Sequence, residues 1–300
     1  MTRQLAKIIA DSISPHGVRL TTMQIEVPRI VLAELNTHRM LSKSSASSRA
    51  IPVEKMLARV TDDPYIPEQW DHNGSGMQGH GLIEGEDAER CVEAWLAARD
   101  SAVEHTYRLL DLGIHKQTTN RLLEPFMWHT VIVTATEWSN FFNLRCHPAA
   151  HPALRNTAEA MRDALQAGSP KRLEFGEWHL PYVDERDVGL RTADKIKVSV
   201  ARCARVSYLT HDGIRDPQAD IDLHERLLGP GHMAPLEHAA RPMMTTDIVA
   251  AVGKLTSVFT DTITSNLNPA EHFSGNFRGW VQHRKTIAGE ADILAHRKNA

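Results

Sequence analysis

Thirteen residues near the N-terminus, Thr37-His38-Arg39-Met40-Leu41-Ser42-Lys43-Ser44-Ser45-Ala46-Ser47-Ser48-Arg49, hold two arginines, one histidine and five serines. Guanidiniums grip phosphate oxygens through paired, charge-assisted hydrogen bonds, and small hydroxyl side chains donate to the same oxygens while letting the backbone come close. By residue type the stretch reads either as a phosphate-binding loop or as a solvated connector. The net charge of −3 gives no general attraction to polyanions, so any anion preference is local and favours a mononucleotide over a duplex. Other chemistries find less support. The three cysteines, Cys91, Cys146 and Cys203, show no paired spacing, which argues against a disulfide framework or a thiolate zinc site. Cys146, between Arg145 and His147, is the one thiol whose neighbours could activate it. His147 and His151 stand four apart, but Pro148 and Pro152 interrupt the helix that would align them on a metal, so no metal site is expected. Neither a Walker loop nor a Gly-x-Gly-x-x-Gly fingerprint occurs.

Four further segments accompany the serine-rich stretch: Arg121-Leu122-Leu123-Glu124-Pro125, Asn140-Phe141-Phe142-Asn143-Leu144-Arg145, Ala204-Arg205-Val206-Ser207 and Gly231-His232-Met233-Ala234-Pro235-Leu236-Glu237-His238. Together they resemble the flavin-dependent thymidylate synthases. That family's signature is Arg-His-Arg, two residues, Ser, one residue, Asn, two residues, Ser, one residue, Arg; five of those seven positions match here. The Arg121 segment is similar to the family's Arg-x-x-Leu-Pro, and the Asn140 segment to its Asn-Phe-Leu-Asn-Leu-Arg. The last two segments precede the signature in the family and follow it here, as a circular permutation would produce; permutation keeps a fold when the original termini lie close together.

The resemblance implies an α+β fold with a mixed sheet flanked by many helices. It also implies one catalytic domain over 1–300, with a signature half at about 1–168 and a second half at about 196–300. The implied activity is C5 methylation of a deoxypyrimidine monophosphate, dUMP to dTMP in type. FAD would be the cofactor, methylenetetrahydrofolate the one-carbon donor and NADPH the reductant. C5 hydroxymethylation of dUMP or dCMP, or dCMP methylation, is the alternative; a degenerate nucleotide-binding protein is the second. By position, Arg145 matches the arginine that faces the pyrimidine and acts in catalysis. Glu34, Thr37, Ser45, Ser47, Ser48, Arg49 and Arg121 match nucleotide-binding positions. Thr37, His38, Arg39, Ser44, Thr134, Thr136, Asn140, Ser207, His232 and Ala234 match flavin-contacting ones. His238 reads as a structural histidine in a buried hydrogen-bonded pair. A homotetramer with ligands between subunits is implied as well, without duplex nucleic acid or membrane, in the cytoplasm.

The departures carry chemistry of their own. The signature's first arginine is Thr37, its asparagine is Ser44, and the acidic residue after it is Ser45. A glutamine three residues before the signature is Glu34. A glutamine donates or accepts, whereas an ionised glutamate only accepts, which suits an exocyclic amino group such as cytosine N4.

The elements that must position these residues follow from period and punctuation. Val18 to Val27 alternates as a strand, and Pro28 opens a short helix ending near Asn36. Residues 61–85 carry Pro, Gly, Asp and Asn without periodicity and read as a mobile loop, a candidate lid. Glu86 to Leu112 is an amphipathic helix stopped at Gly113, with Trp95 and Tyr107 expected in the core. Residues 131–145 and 152–167 read as two helices, the second between Pro152 and Gly168. Lys197 to Tyr208, Asp216 to Leu228 and Asp247 to Phe259 read as helical or mixed. Gly275 to Arg284 echoes the helix-plus-His-Arg pattern, so that Arg278 and Trp280 could line the site. Three hundred residues with 42% apolar content suffice for a sizeable core, and no run approaches the length of a membrane span.

Overall fold

Two β-rich runs form the centre of the molecule. The computed structural model describes residues 3–206, 215–247 and 275–290. Strand β1 (Ala6–Ile13) pairs antiparallel with β2 (Arg19–Pro28), β2 with β4 (Trp128–Ala135), and β4 with the short edge strand β3 (Ser42–Ser45). β5 (Lys171–Arg172) adds a parallel edge to β1, giving a mixed sheet in the order β3-β4-β2-β1-β5. Alternation sorts its two faces. Met23, Ile25, Val27, Val131, Val133 and Ala135 enter the main apolar core. Register pairs Thr22 with Thr134 and Ser42 with Thr134 on the other face.

Helices cover both faces, as expected of an α+β fold. Pro28 leads through a short 3-10 turn into α1 (Leu32–Asn36), which buries Leu32 and Leu35. α2 (Val53–Asp62) and α3 (Glu86–Asp111) follow, α3 ending before Gly113 at φ 75°. α4 is a single turn (Lys116–Thr119). α5 (Ser139–Arg145) follows β4, and α6 (Pro152–Ala167) opens on its proline and packs Leu154, Ala158 and Met161 into the core. On the opposite face lie α7 (Thr192–Arg205) and α8 (Pro217–Leu228). Arg202 of α7 is buried between Asp187 at 2.6 Å and Asp220 at 3.0 Å, and Arg205 reaches Asp220 at 2.7 Å. β6 (Ala240–Pro242) and β7 (Trp280–Gln282) form a two-stranded sheet beside them.

Several expectations need correction. Residues 131–135 belong to β4, not to a helix, because the β-branched run Thr130-Val131-Ile132-Val133-Thr134 finds partners on both sides. Four of the thirteen residues of the expected phosphate loop are strand: Ser42–Ser45 is β3. Tyr107 is 53% exposed and Trp280 is fully buried beside Leu20 and Phe277, so the first lies outside the core and the second cannot line a site. Residues 248–259 of the expected Asp247 to Phe259 segment lie outside the described residues. Among the described residues, no helix is long and apolar enough to cross a membrane.

Candidate active site

α1, α5 and the start of α6 enclose, with the 64–79 segment, a cavity of about 840 Å³. Glu34 and Arg145 stand on its wall, with Tyr65, Trp70, Trp95 and Trp128 supplying aromatic surface. The segment expected as a lid is thus a wall of this cavity, folded back on itself: Trp70 O accepts from Ile83 N at 2.8 Å and His72 N donates to Gly81 O at 3.0 Å. Trp95 Nε1 donates to Tyr65 O at 2.8 Å, anchoring the segment on α3.

Arg145 organises the polar end. Its Nε donates to His38 Nε2 at 2.8 Å, Nη1 to Glu34 Oε2 at 3.1 Å, and Nη2 lies 3.4 Å from both the Glu34 carbonyl and the Thr37 hydroxyl. Burial, then Arg145 and Lys43, push the His38 imidazole below its ordinary pKa. A neutral ring with a free Nε2 lone pair is the form that accepts from a guanidinium. Three residues at the end of α1 therefore meet an arginine more than a hundred positions away.

A second polar cluster gathers around Glu124. Ser48 Oγ and Arg121 Nη1 donate to its Oε1 at 2.6 and 2.7 Å, and Arg29 Nη2 lies at 3.4 Å. Burial raises the Glu124 carboxyl, but Ser48, Arg29 and Arg121 outweigh it and hold the group below its usual range. Arg49 is exposed and Ser47 half-buried beside this cluster in sequence. Neither Ser48 nor Arg121 lines the cavity that Glu34 and Arg145 share.

A third set is wholly internal. Ser44 Oγ links to His238 Nε2 at 2.9 Å, His238 Nδ1 to Thr134 Oγ1 at 2.8 Å, Thr134 to Thr22 at 2.7 Å, Thr22 to His179 Nε2 at 2.8 Å, and His179 Nδ1 to Ser12 Oγ at 2.9 Å. Burial drives both histidines down to about 3, His238 adding to the effect on His179. Ser44 and Thr134 are consequently spent inside the sheet and are not available to a cofactor. His238 is structural as expected, but in a six-membered chain and not in a pair.

The other expected residues divide. Thr37, Arg39, Asn140, His232 and Ala234 are exposed, and Thr136 is half-buried with its hydroxyl accepting from Arg278 N at 3.1 Å. Ser45 is a half-buried member of β3 on the face opposite Ser44. Ser207 lies outside the described residues. Cys146 packs against the core, and burial raises its thiol, so the activated thiolate is not favoured. His147 and His151 each cap their own turn, Nδ1 accepting from Ala149 N and Ala153 N, and no group of three metal-ligating side chains occurs among the described residues.

A family model, Thymidylate synthase complementing protein, matches residues 12–171, a little over half the chain. The chain belongs to this family. Membership places it among enzymes that act on pyrimidine nucleotides. The matched span contains Glu34, the signature stretch, Arg121 and Arg145, whereas His232 and Ala234 lie beyond it. Two solved structures of PolB from Streptomyces cacaoi, described as a UMP/dUMP methylase, are similar. The one bound with 5-Br UMP is 18% identical, with a TM-score of 0.44 over 53% of this chain and 87% of that one. The one bound with 5-Br dUMP is 21% identical, with a TM-score of 0.37 over 49% of this chain and 65% of that one. No curated protein sequence matches. Within this family member, sequence reasoning missed Trp70 and Trp128 as cavity walls, Arg29 and Glu124 around Ser48, and His179 in the buried chain. Only Glu124 left a trace, as a charge where the family's segment carries leucine.

Proposed function

We propose that the protein is a flavin-dependent C5 one-carbon transferase acting on a deoxypyrimidine monophosphate, with methylenetetrahydrofolate as donor and methylation as the reaction. The observation that carries this reading is that Arg145 and Glu34 pair on a cavity wall, with His38 and Thr37 holding the guanidinium from behind. Arg145 acts as the fixed cation beside the pyrimidine, and His38, accepting from Nε, fixes the plane of the guanidinium. A preorganised charge of this kind stabilises electron density as it builds in the ring without reorganising during the reaction. Tyr65, Trp70, Trp95 and Trp128 supply aromatic surface to the same cavity.

The donor set fits FAD in part. Arg39, Asn140 and His232 are exposed and make no side-chain hydrogen bond among the described residues, so a guanidinium suited to pyrophosphate, an amide and an imidazole are available to hold it. Ser44 and Thr134 are withdrawn from that set. When bound, the reduced flavin supplies reducing equivalents as hydride, with NADPH as reductant, and the protein supplies orientation. Ser47, Ser48, Arg49 and Arg121 take the nucleotide phosphate. Because the Glu124 cluster and the Arg145 cavity are separate in one chain, the complete site forms between subunits of a homo-oligomer.

The test is a single turnover with reduced, FAD-loaded enzyme, methylenetetrahydrofolate and a pyrimidine deoxynucleotide, analysed by mass. Gain of one methyl group supports the reading. A protein that takes up no flavin and forms no product is a binding protein instead.

A further inference from the structure

We infer that the base taken at the Arg145 end of the cavity is cytosine and that Glu34 selects it, an inference that rests on the pyrimidine-nucleotide reading above. Sequence alone left open whether Glu34 faces the site; the structure puts it against Arg145. Their contact at 3.1 Å fixes an acceptor beside a donor on the cavity wall, with the Glu34 side chain 40% exposed and Arg145 19%. A guanidinium has five N–H groups, and the four contacts of Arg145 leave one on Nη1 undirected. Oε1 of Glu34 has no hydrogen bond among the described residues. A ligand therefore meets one open donor and one open acceptor, side by side.

Cytosine matches that order. Its N4 amino group donates to Glu34, and its neighbouring N3, an acceptor while the ring is neutral, receives the N–H of Arg145. Uracil in the same pose sets O4 against a carboxylate and N3–H against a guanidinium, two like-with-like contacts. Uracil can accept at N3 only by losing its proton. The ionised Glu34 then cancels much of the field with which Arg145 would hold the anion. Uracil could offer its N3–H to Glu34 and its O2 to Arg145 only by sliding one atom along its edge. That shift carries its sugar and phosphate away from the place cytosine gives them and costs affinity there, and the contact keeps N3 protonated and the ring unactivated at C5. A glutamine at 34 would be neutral and could donate to O4, restoring uracil. Position 34 is thus a specificity-determining residue whose charge chooses between the two bases.

Calorimetric titration of the full chain, FAD present, with dCMP and with dUMP tests this without turnover. Wild type binding dCMP at least tenfold more tightly, with the preference lost or reversed in Glu34→Gln, is the expected result; a correctly paired base edge typically gives tenfold or more. Equal affinities, a dUMP preference in wild type, or a preference unchanged in Glu34→Gln overturns the inference and leaves the pyrimidine reading standing. If neither nucleotide binds to either protein while circular dichroism shows both folded, the pyrimidine reading falls and the inference with it. Ultraviolet absorbance of bound dUMP, which shifts on N3 ionisation, gives an independent readout: the ring stays neutral in wild type and ionises more readily in Glu34→Gln. Ionised uracil in the wild-type complex overturns the charge argument.

Discussion

Two polar assemblies draw on the same thirteen-residue stretch and end in opposite environments. His38 and Thr37 meet Arg145, which with Glu34 lines a cavity. Ser44, six residues on from His38, turns inward and ends a chain of hydroxyls and imidazoles sealed in the sheet. Thr37 and His38 lie in the turn that ends α1, before β3 begins, whereas within β3 the two-residue period sends Ser42 and Ser44 to one face and Lys43 and Ser45 to the other. A motif read as a list of ligands mixes these two populations. Element assignment separates them: the turn after α1 carries the residues that meet Arg145, and the inward face of β3 carries those that hold the sheet together.

Mutation should separate them too. Arg145→Ala removes the cation proposed to face the base, and kcat should fall by a factor on the order of 10² to 10³. The pair with Glu34 is partly solvated, so urea denaturation should move by less than about 1 kcal/mol. His238→Ala should do the reverse. It strands the hydroxyls of Ser44 and Thr134 and opens a void, costing about 3 kcal/mol of stability, while dCMP and dUMP affinities of the protein that remains folded stay as in wild type. Loss of nucleotide affinity at unchanged stability in His238→Ala would erase the distinction between the two assemblies.

What could be read beforehand follows the same division. β2, α1, α3 and α6 were legible because Pro28, Gly113, Pro152 and Gly168 punctuate them locally. β4 was not. Val131-Ile132-Val133 is apolar on both sides, and only its partners β2 and β3, more than eighty residues upstream, decide strand over helix. The Arg145 and Glu34 positions were visible as residue types; their contact, which gives Glu34 its meaning, spans 111 residues and leaves no local signal. Trp70 and Trp128 were invisible as cavity walls because nothing near either of them in the chain says what lies opposite.

Acid provides a sharper test of the buried chain. His179 and His238 are held near 3 when folded and return to about 6.5 when unfolded. Between those values the unfolded state binds more protons, so stability rises with pH, by up to about 1.4 kcal/mol per unit for each histidine. Stability should be fully present above 6.5 and be lost as the pH falls below it. His129, buried and lowered to about 4, adds in the same direction. Urea midpoints between about pH 5 and 6.5, above most of the carboxylate range, report these groups together with His38, His224 and His283, which burial lowers as well. The comparison that isolates His238 is therefore between wild type and variant. His238→Gln should reduce the slope by one histidine's share; an unaltered slope would mean that this imidazole is not the neutral, sealed group described here.

The smallest effect is expected at the cluster that belongs to neither assembly. Glu124 occupies Ser48, Arg121 and Arg29, the donors proposed for phosphate among them. A carboxylate held there competes with an incoming phosphate for the same N–H and O–H groups and repels its charge, but it also keeps two long side chains in place. Glu124→Gln removes the repulsion and retains the shape. The advantage of a nucleotide over the corresponding nucleoside should then grow about three- to tenfold, roughly 1 kcal/mol, and the gain should shrink as salt screens the pair. A nucleotide that binds less tightly to Glu124→Gln, with nucleoside affinity unchanged, would show that the carboxylate orients Arg121 and Ser48 more than it blocks them. Glu124 would then join His238 as a residue that builds the site from behind.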